Sequence, residues 1–399
     1  MPTRRTASRV RRRPLVAVLG GAGAMGRAVV YDLARAGHPV RLLESDRAAA
    51  ERVARQYGGS SCEVASADAA DPAALARKLT GAAALVHCAP YRLNLAVMEA
   101  ALRAGCHYVD LGGLFHTTRR QLRRHRDFRR AGLLAVLGMG SAPGIANVLA
   151  RAAADPLRRV RSIRVYNGGA DFTRYDSPLP FAFSPATVLD EFTLPPMVFA
   201  RGRFRSVPPL SGGENFHFEI GTEHVHFSLH SEVATLPLTY RSKGIRDCSF
   251  KIAYDPDLIA RLRFLIDLGL ADPRPGPRGV APRQVLLDCF SRLPPPPDFV
   301  DDRDTLAVLV DGEDERGRVQ VRYDLTARPQ RRPPLSAVAR DTGFAPAIVV
   351  RMILDGTIEA RGVLPPERCV PAAELLSALG ARGMRARRRV SRRHSRGRS

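Results

Sequence analysis

Short uninterrupted apolar runs alternate with helical stretches from Pro14 to about residue 150. LVAVLG (15–20), VRLLES (40–45), ALVHCA (84–89), HYVDLG (107–112) and LLAVLG (133–138) lack the polar alternation of a half-exposed strand. Runs of that kind, separated by helices, predict parallel β-strands covered on both faces. The intervening MGRAVVYDLARAG and LNLAVMEAALRAG are amphipathic and stop at Gly37 and Gly105, which read as helix C-caps. After residue 160 the texture changes. SIRVYNGG and HFSLH alternate with period two, LIARLRFLIDLGL is helical, and TLAVLVDG and RVQVRYDL flank a turn at 315–317 as a hairpin would. Pro294–Pro297 form a stiff spacer, and LSAVARDTGFAPAIVVRMILDG and PAAELLSALGARG return to helix.

The fold class expected is therefore α/β: a doubly wound parallel sheet followed by an α+β domain with a mixed sheet. The divisions are a basic disordered tail (1–13), a dinucleotide-binding domain (14–150), a substrate and dimerisation domain (151–330), a helical segment (331–384) and an Arg-rich disordered tail (385–399).

The chain has 399 residues, 45% hydrophobic and 25% charged, ordinary values that exclude a wholly disordered or collagen-like chain. Its formal net charge is +23, and the two tails carry 14 of those charges, all on Arg. Only Lys78, Lys243 and Lys251 are Lys, so the cationic bias is an arginine bias. Solvated tails are the expectation, with nonspecific contact to nucleic acid as the sharper alternative. The six Cys are widely spaced and read as buried thiols. No stretch is apolar enough for a membrane span, and the twin-arginine look of the first residues breaks at Arg27 without a cleavage site. A cytoplasmic location is expected.

Strand LVAVLG runs directly into Gly21-Ala-Gly23-Ala24-Met25-Gly26 and then a helix. This is G-x-G-x-x-G in its strand–turn–helix setting. Gly21 permits the tight turn, Gly23 admits a diphosphate to the helix N-terminus, and Gly26 allows helix and strand to touch. Glu44, at the end of the next strand and followed by Ser45, is placed to accept bonds from the ribose hydroxyls, favouring NAD over NADP. Asp68 lies where a loop flanks the adenine, and Asp71-Pro72 reads as a helix cap. The nicotinamide end should be lined by Cys88-Ala89-Pro90-Tyr91, Asp110-Leu111-Gly112-Gly113 and Gly140-Ser141-Ala142-Pro143-Gly144.

These segments carry a resemblance. VAVLGGAGAMG, LLESD, APYRLN, CHYVDLGG, GMGSAPGIANVLA, YNGG, HSEVATLP and GFAPAIVVRMILDGTIEARGVLPPE resemble the saccharopine dehydrogenase-like family, especially its L-lysine 6-dehydrogenase branch. The resemblance covers residues 14–384. It implies pyridine-nucleotide redox chemistry at the C–N bond of an amino acid, and a homodimer. It assigns nucleotide roles to Gly21, Gly23, Gly26 and Glu44, and loop roles to Pro90, Tyr91, Asn94, Asp110, Gly113, Pro143, Gly144 and Asn147. Residues 170–230 depart from the lysine-oxidising pattern, so saccharopine-type and carboxynorspermidine-type imine reductases stand as alternatives.

Such chemistry needs a proton acceptor and anchors for a substrate carboxylate and ammonium. Tyr91, Asp110, His230 and Glu232 are the catalytic candidates, with Glu191 and His224 as further acids or bases. Ser141, Arg174, Thr235 and Arg241 join the loop residues as substrate candidates. His217, His224, His226 and His230 lack the carboxylate or thiolate company of a metal site, and none is expected. A reading from another class is a helix-turn-helix regulator. In it residues 345–354 would be the recognition helix, although Arg351 would be its only base-reading side chain.

Overall fold

The computed structural model describes residues 13–276 and 279–392. The tail expected over 1–13 therefore lies almost entirely outside the described residues. The first domain runs β1 (Val16–Leu19), α1 (Ala24–Arg35), β2 (Val40–Glu44), α2 (Arg47–Val53), β3 (Cys62–Ser66), α3 (Pro72–Lys78) and β4 (Ala84–His87). It continues through α4 (Asn94–Ala104), β5 (His107–Asp110), α5 (Leu114–Gln121), α6 (His125–Arg130), β6 (Leu134–Val136) and α7 (Ile145–Ala154). Asp46 caps α2 through the Ala49 amide, and Asp71 caps α3 ahead of Pro72.

The second domain is built from β7 (Arg159–Asp171), α8 (Pro185–Thr193), β8 (Met197–Ala200), β9 (Arg203–Ser206), β10 (Glu214–Phe218) and β11 (Gly221–Phe227). Then come α9 (Glu232–Thr239), β12 (Asp247–Ala253), α10 (Pro256–Asp267), α11 (Pro282–Ser291), β13 (Asp302–Asp314) and β14 (Gly317–Ala327). A two-residue ladder, β15 (Gln330–Arg331) with β16 (Pro334–Leu335), leads to α12 (Ala337–Leu354), β17 (Gly362–Leu364), α13 (Pro366–Cys369), α14 (Ala372–Gly380) and β18 (Ala386–Arg392).

Seven parallel strands form the first sheet in the order β17-β6-β5-β4-β1-β2-β3. Strand residues alternate between two cores: Val16 and Val18 belong to one, Ala17 and Leu19 to the other. All four are buried, which explains why the strand read as an unbroken apolar run. The second sheet has nine strands, with β12 and β7 parallel and its other pairs antiparallel. Both sheets match the expected fold class.

Three sequence expectations are corrected. Residues 331–384 are not simply a helical appendage, because β17 pairs with β6 and completes the first sheet. The segment read as a helix-turn-helix is one continuous helix, α12, with Pro346 inside it. Its intended recognition face is core, including buried Ala345, Ile348, Val349 and Met352. Gly343 explains the placement: a Cβ there would fall 2.6 Å from Ala28 Cβ and 2.7 Å from Met25 O, so α12 crosses α1 in direct backbone contact. The C-terminal tail is not disordered from residue 385. Ala386–Arg392 is an edge strand on β14, anchored by Arg392 to Asp314 at 2.7 Å. Its alternating Val390 and Arg residues satisfy the backbone by pairing where composition suggested solvation.

α12 is also capped from across the domain boundary. Asp302, the first residue of β13, accepts the Ala337 and Val338 amides at 2.6 and 3.2 Å. Burial pushes its carboxyl from 3.8 to about 6, against those amide bonds, with Asp171 and Asp304 adding to the rise. The group therefore favours the folded chain below pH 3.8, and that advantage is lost as pH climbs through about 6. Asp302→Asn keeps an acceptor for Ala337 and should flatten the decline of Tm between about pH 4 and 7, measured by calorimetry; an unchanged slope refutes the assignment.

Candidate active site

The glycine turn is shaped by contacts that leave no room for side chains except on one side. At Gly20 (φ +76°) a Cβ would lie 2.6 Å from Ala89 N, and at Gly26 it would lie 2.2 Å from Gly20 O. At Gly21 it would meet Leu42 Cγ at 2.8 Å. Gly23 differs: its nearest neighbour would be 3.5 Å away, so the space beyond it is open. Gly23 is the N-cap of α1 and supplies no side-chain bond, so the amides of the first turn, which includes Ala24 and Met25, are left for a ligand. This cradle fits a dinucleotide diphosphate at the positive end of the helix dipole. Glu44 leans into the same turn, its Oε2 accepting the Ala22 amide at 3.2 Å and its Oε1 the Ser45 amide at 3.1 Å. Asp68 bonds the Ala70 amide in the loop after β3.

At the carboxyl ends of β4, β5 and β6, one carboxylate gathers the loops. Asp110 accepts from Gly112 N (3.1 Å), Gly138 N (2.6 Å), Gln121 Nε2 (2.6 Å), Tyr108 OH (2.9 Å) and Asn94 Nδ2 (3.2 Å). Burial raises its pKa, and those bonds hold the rise back. With five donors Asp110 has no lone pair for a substrate, so its expected catalytic role becomes a positioning role. Asn94 also donates to Gly112 O at 3.1 Å. Pro143 packs where a Cβ on Gly112 or Gly138 would be, 2.9 Å from its ring in each case. Thus the 88–94, 110–113 and 138–144 loops form one unit, with Cys88, Ala89, Pro90 and Leu111 on it.

The second domain meets that unit through His230-Ser231-Glu232. Ser231 Oγ accepts from Gly113 N at 3.3 Å and Thr118 Oγ1 at 3.1 Å. Beside it His230 Nδ1 lies 2.8 Å from Glu232 Oε2, and the imidazole stacks on Phe250 at 3.7 Å and 7°. The other ring nitrogen, Nε2, has no partner among the described residues. Burial pulls the imidazole pKa down, but the Glu232 charge and hydrogen bond, with Glu191 behind them, outweigh it and leave a net rise. Glu191 is fully buried and takes bonds from Ser228 Oγ (3.2 Å) and Tyr254 OH. Its neighbour Asp190 holds the domains together. It accepts Tyr91 OH at 2.7 Å, Arg92 Nη2 at 2.7 Å and Arg283 Nη2 at 2.8 Å. Tyr91 is therefore an interdomain tie whose hydroxyl donates to Asp190; the bond and burial both raise its pKa.

The other expected residues divide. Asn147 bonds Gly144 N (3.1 Å), Thr235 Oγ1 (3.4 Å) and Glu367 Oε2 (2.8 Å), so both it and Thr235 belong to a buried network that fixes the start of α7. Ser141 donates to Asp341 Oδ2 at 2.9 Å and also lies 3.3 Å from Asp304 Oδ2. Arg174 is exposed, with no partner among the described residues. Arg241 lies in the short turn after α9, exposed and with no side-chain partner among the described residues. His224 and His226 stack edge-on at 4.7 Å on the β11 hairpin, His217 bonds Thr222 nearby, and among the described residues no group of three ligands could hold a metal. The expectation of buried thiols holds only for Cys106 and Cys248; Cys62, Cys88 and Cys369 are half-buried, and Cys289 is exposed on the outer side of α11.

Sequence reading missed Gln121, Asp190, Arg283, Tyr254 and Glu367, each a polar residue whose partner lies elsewhere in the chain. Arg92 stood inside the quoted APYRLN without being chosen.

A glycine cradle at the switch point of a parallel sheet, with a buried His–Glu pair held beside Ser231 on the Gly113 loop of the same sheet, marks an oxidoreductase with a pyridine-nucleotide domain. Residues 16–136 match the saccharopine dehydrogenase NADP binding domain, and residues 140–384 match the saccharopine dehydrogenase C-terminal domain; the chain belongs to the saccharopine dehydrogenase family. The apo saccharopine dehydrogenase (L-Glu forming) of Saccharomyces cerevisiae shares the fold, with TM-score 0.70 and 17% identity over 95% of this chain and 100% of that one. A short-chain type dehydrogenase/reductase from Mycobacterium ulcerans matches 31% of this chain and 66% of its own at 14% identity and TM-score 0.26. Among the described residues no helix is long and apolar enough to cross a membrane.

Gly23→Val should fold normally yet lose at least tenfold in dinucleotide affinity by fluorescence titration, because only the ligand's space is filled. Gly26→Ala should instead destabilise the fold by about 2 kcal/mol through its backbone clash, read from denaturant midpoints. Equal behaviour of the two variants would contradict the cradle.

Proposed function

We propose that this protein is an NAD-dependent amino-acid dehydrogenase acting at a C–N bond, oxidising the ε-amine of lysine. The carrying observation is the His230 imidazole, backed by Glu232 and Glu191 and set one residue from the Ser231 bond to the Gly113 loop. The bound dinucleotide supplies the hydride acceptor. His230 Nε2 takes the proton lost as the amine is oxidised, and Glu232 holds the ring oriented and stabilises its charged form. Two buried carboxylates around that imidazole favour a cationic substrate group. Arg92, 57% exposed and only partly engaged by Asp190, is the anchor for the substrate carboxylate, in place of Arg241. Glu44 supports NAD over NADP because a carboxylate beside the ribose repels a 2′-phosphate. The protein acts on a small amino acid in the cytoplasm as a homodimer.

A second reading is saccharopine-type chemistry, the activity named for the yeast saccharopine dehydrogenase (L-Glu forming) whose fold this chain shares over 95% of its length. NAD reduction by lysine alone supports the first reading; turnover only with saccharopine, or only with a carbonyl co-substrate in reverse, replaces it.

The kcat/KM profile should fall on the acid side with an apparent pKa above 6.5, since the base must be unprotonated. Glu232→Gln removes the charge that raises that pKa, so the limb should move to lower pH, whereas His230→Gln should abolish it and lower kcat by about 10²–10⁴. Glu44→Ala should weaken NAD binding about tenfold while narrowing the preference against NADP, checked by titration with both; unchanged NAD affinity removes the ribose role.

A further inference from the structure

We propose that the second domain holds a separate site for an anion carrying several phosphate groups. A cavity of about 1220 Å³ opens at the end of the nine-stranded sheet where β7 and β12 begin. Its floor is a single row across four strands, with Asp247, Ser162, Asp311 and Gln320 in register on β12, β7, β13 and β14. Five arginines line it without a side-chain partner among the described residues: Arg159, Arg161, Arg201, Arg246 and Arg318.

The acids of the cavity do not balance them. Asp311 is already engaged by Ser162 Oγ (2.7 Å), Arg164 Nη2 (2.8 Å) and Gln320 Nε2 (2.7 Å). Asp247 accepts the Arg201 amide at 3.0 Å, and Glu313 lies 3.9 Å from Arg158 outside the group of five. Lys243, the one lysine of the lining, donates to the carbonyls of Ala154, Asp155 and Leu157. What remains free is guanidinium, the group whose planar fork matches phosphate oxygens in pairs.

Like charges gathered on one concavity raise its potential, and a bound anion relieves their repulsion. The volume exceeds the roughly 300–1,000 Å³ of ordinary small-ligand pockets. A single phosphate would satisfy one or two of the five arginines, whereas a phosphate chain reaches more of them at once. A second copy of this chain is a poor occupant, since a two-fold axis through the cavity would set the same cations against each other. The cavity lies at the Lys243–Asp247 end of α9's connection, and Glu232 lies at the other end of that helix, so the ligand would sit remote from His230.

The test is calorimetric titration of the full chain with inorganic tripolyphosphate at near-physiological salt. One site per chain is expected, with a rise in Tm and weaker binding of orthophosphate. The double variant Arg161→Gln/Arg246→Gln changes two exposed side chains and should weaken tripolyphosphate binding at least tenfold, while dinucleotide titration stays unchanged as the check on folding. The control Arg396→Gln/Arg398→Gln removes as much charge from the C-terminal tail and should leave binding intact. A nucleoside triphosphate, added with NAD present, distinguishes the source: equal affinity assigns the phosphate chain alone, and tighter binding sensitive to the same double variant assigns a nucleotide. Absence of binding, binding lost only in the tail variant, or binding retained in the cavity variant overturns the proposal. A DNA duplex that displaces tripolyphosphate and binds more tightly overturns it in favour of a nucleic acid.

Discussion

The Asp110 carboxylate is the constraint on which the first domain's active face depends. A buried charge survives only where donors replace the water it has lost, and here the five donors come from the loops or helices after β4, β5 and β6 and from β5 itself. Satisfying one charge thus fixes the relative position of three loops. The Gly113 amide then presents itself to Ser231, and the second domain's His230 lies one residue along the chain from that contact. His230 is thus positioned through a carboxylate whose own hydrogen-bond partners do not include it.

The two domains are joined by carboxylates of different kinds. Asp190 is shared among a tyrosine and two arginines, a charge-compensated tie. Asp302 caps α12, and Asp341 on that helix lies buried beside Asp304 with its pKa pushed well up by burial and by that neighbour. The first tie is satisfied by cationic donors, whereas burial pushes the carboxyls of Asp302 and Asp341 up.

Local signals were legible where chemistry and backbone demand coincide within a few residues. The glycine turn, Glu44, the Asp71-Pro72 cap, the β13–β14 hairpin and the His230-Glu232 pair all carry their evidence inside short windows. What escaped was carried by separation in sequence. β17 is three residues long and only its pairing with β6 makes it a strand. α12 imitates a DNA reader until its burial against α1 is known. Asp110 looked catalytic because its type and position were right, and only its five donors reveal that it is used up. Arg241 followed a suggestive stretch, yet it stands exposed in the turn after α9.

The pairing of β17 with β6 also has a consequence for biosynthesis. Some 225 residues of chain separate the two strands, so during translation the first sheet waits with β6 as a bare edge until nearly the whole polypeptide has left the ribosome. The nucleotide cradle is made early, while the helix that braces it is made late, shortly before β17. Maturation of the enzyme is thus timed by its C-terminal segment, and nascent chains lacking it carry an open template for association with one another.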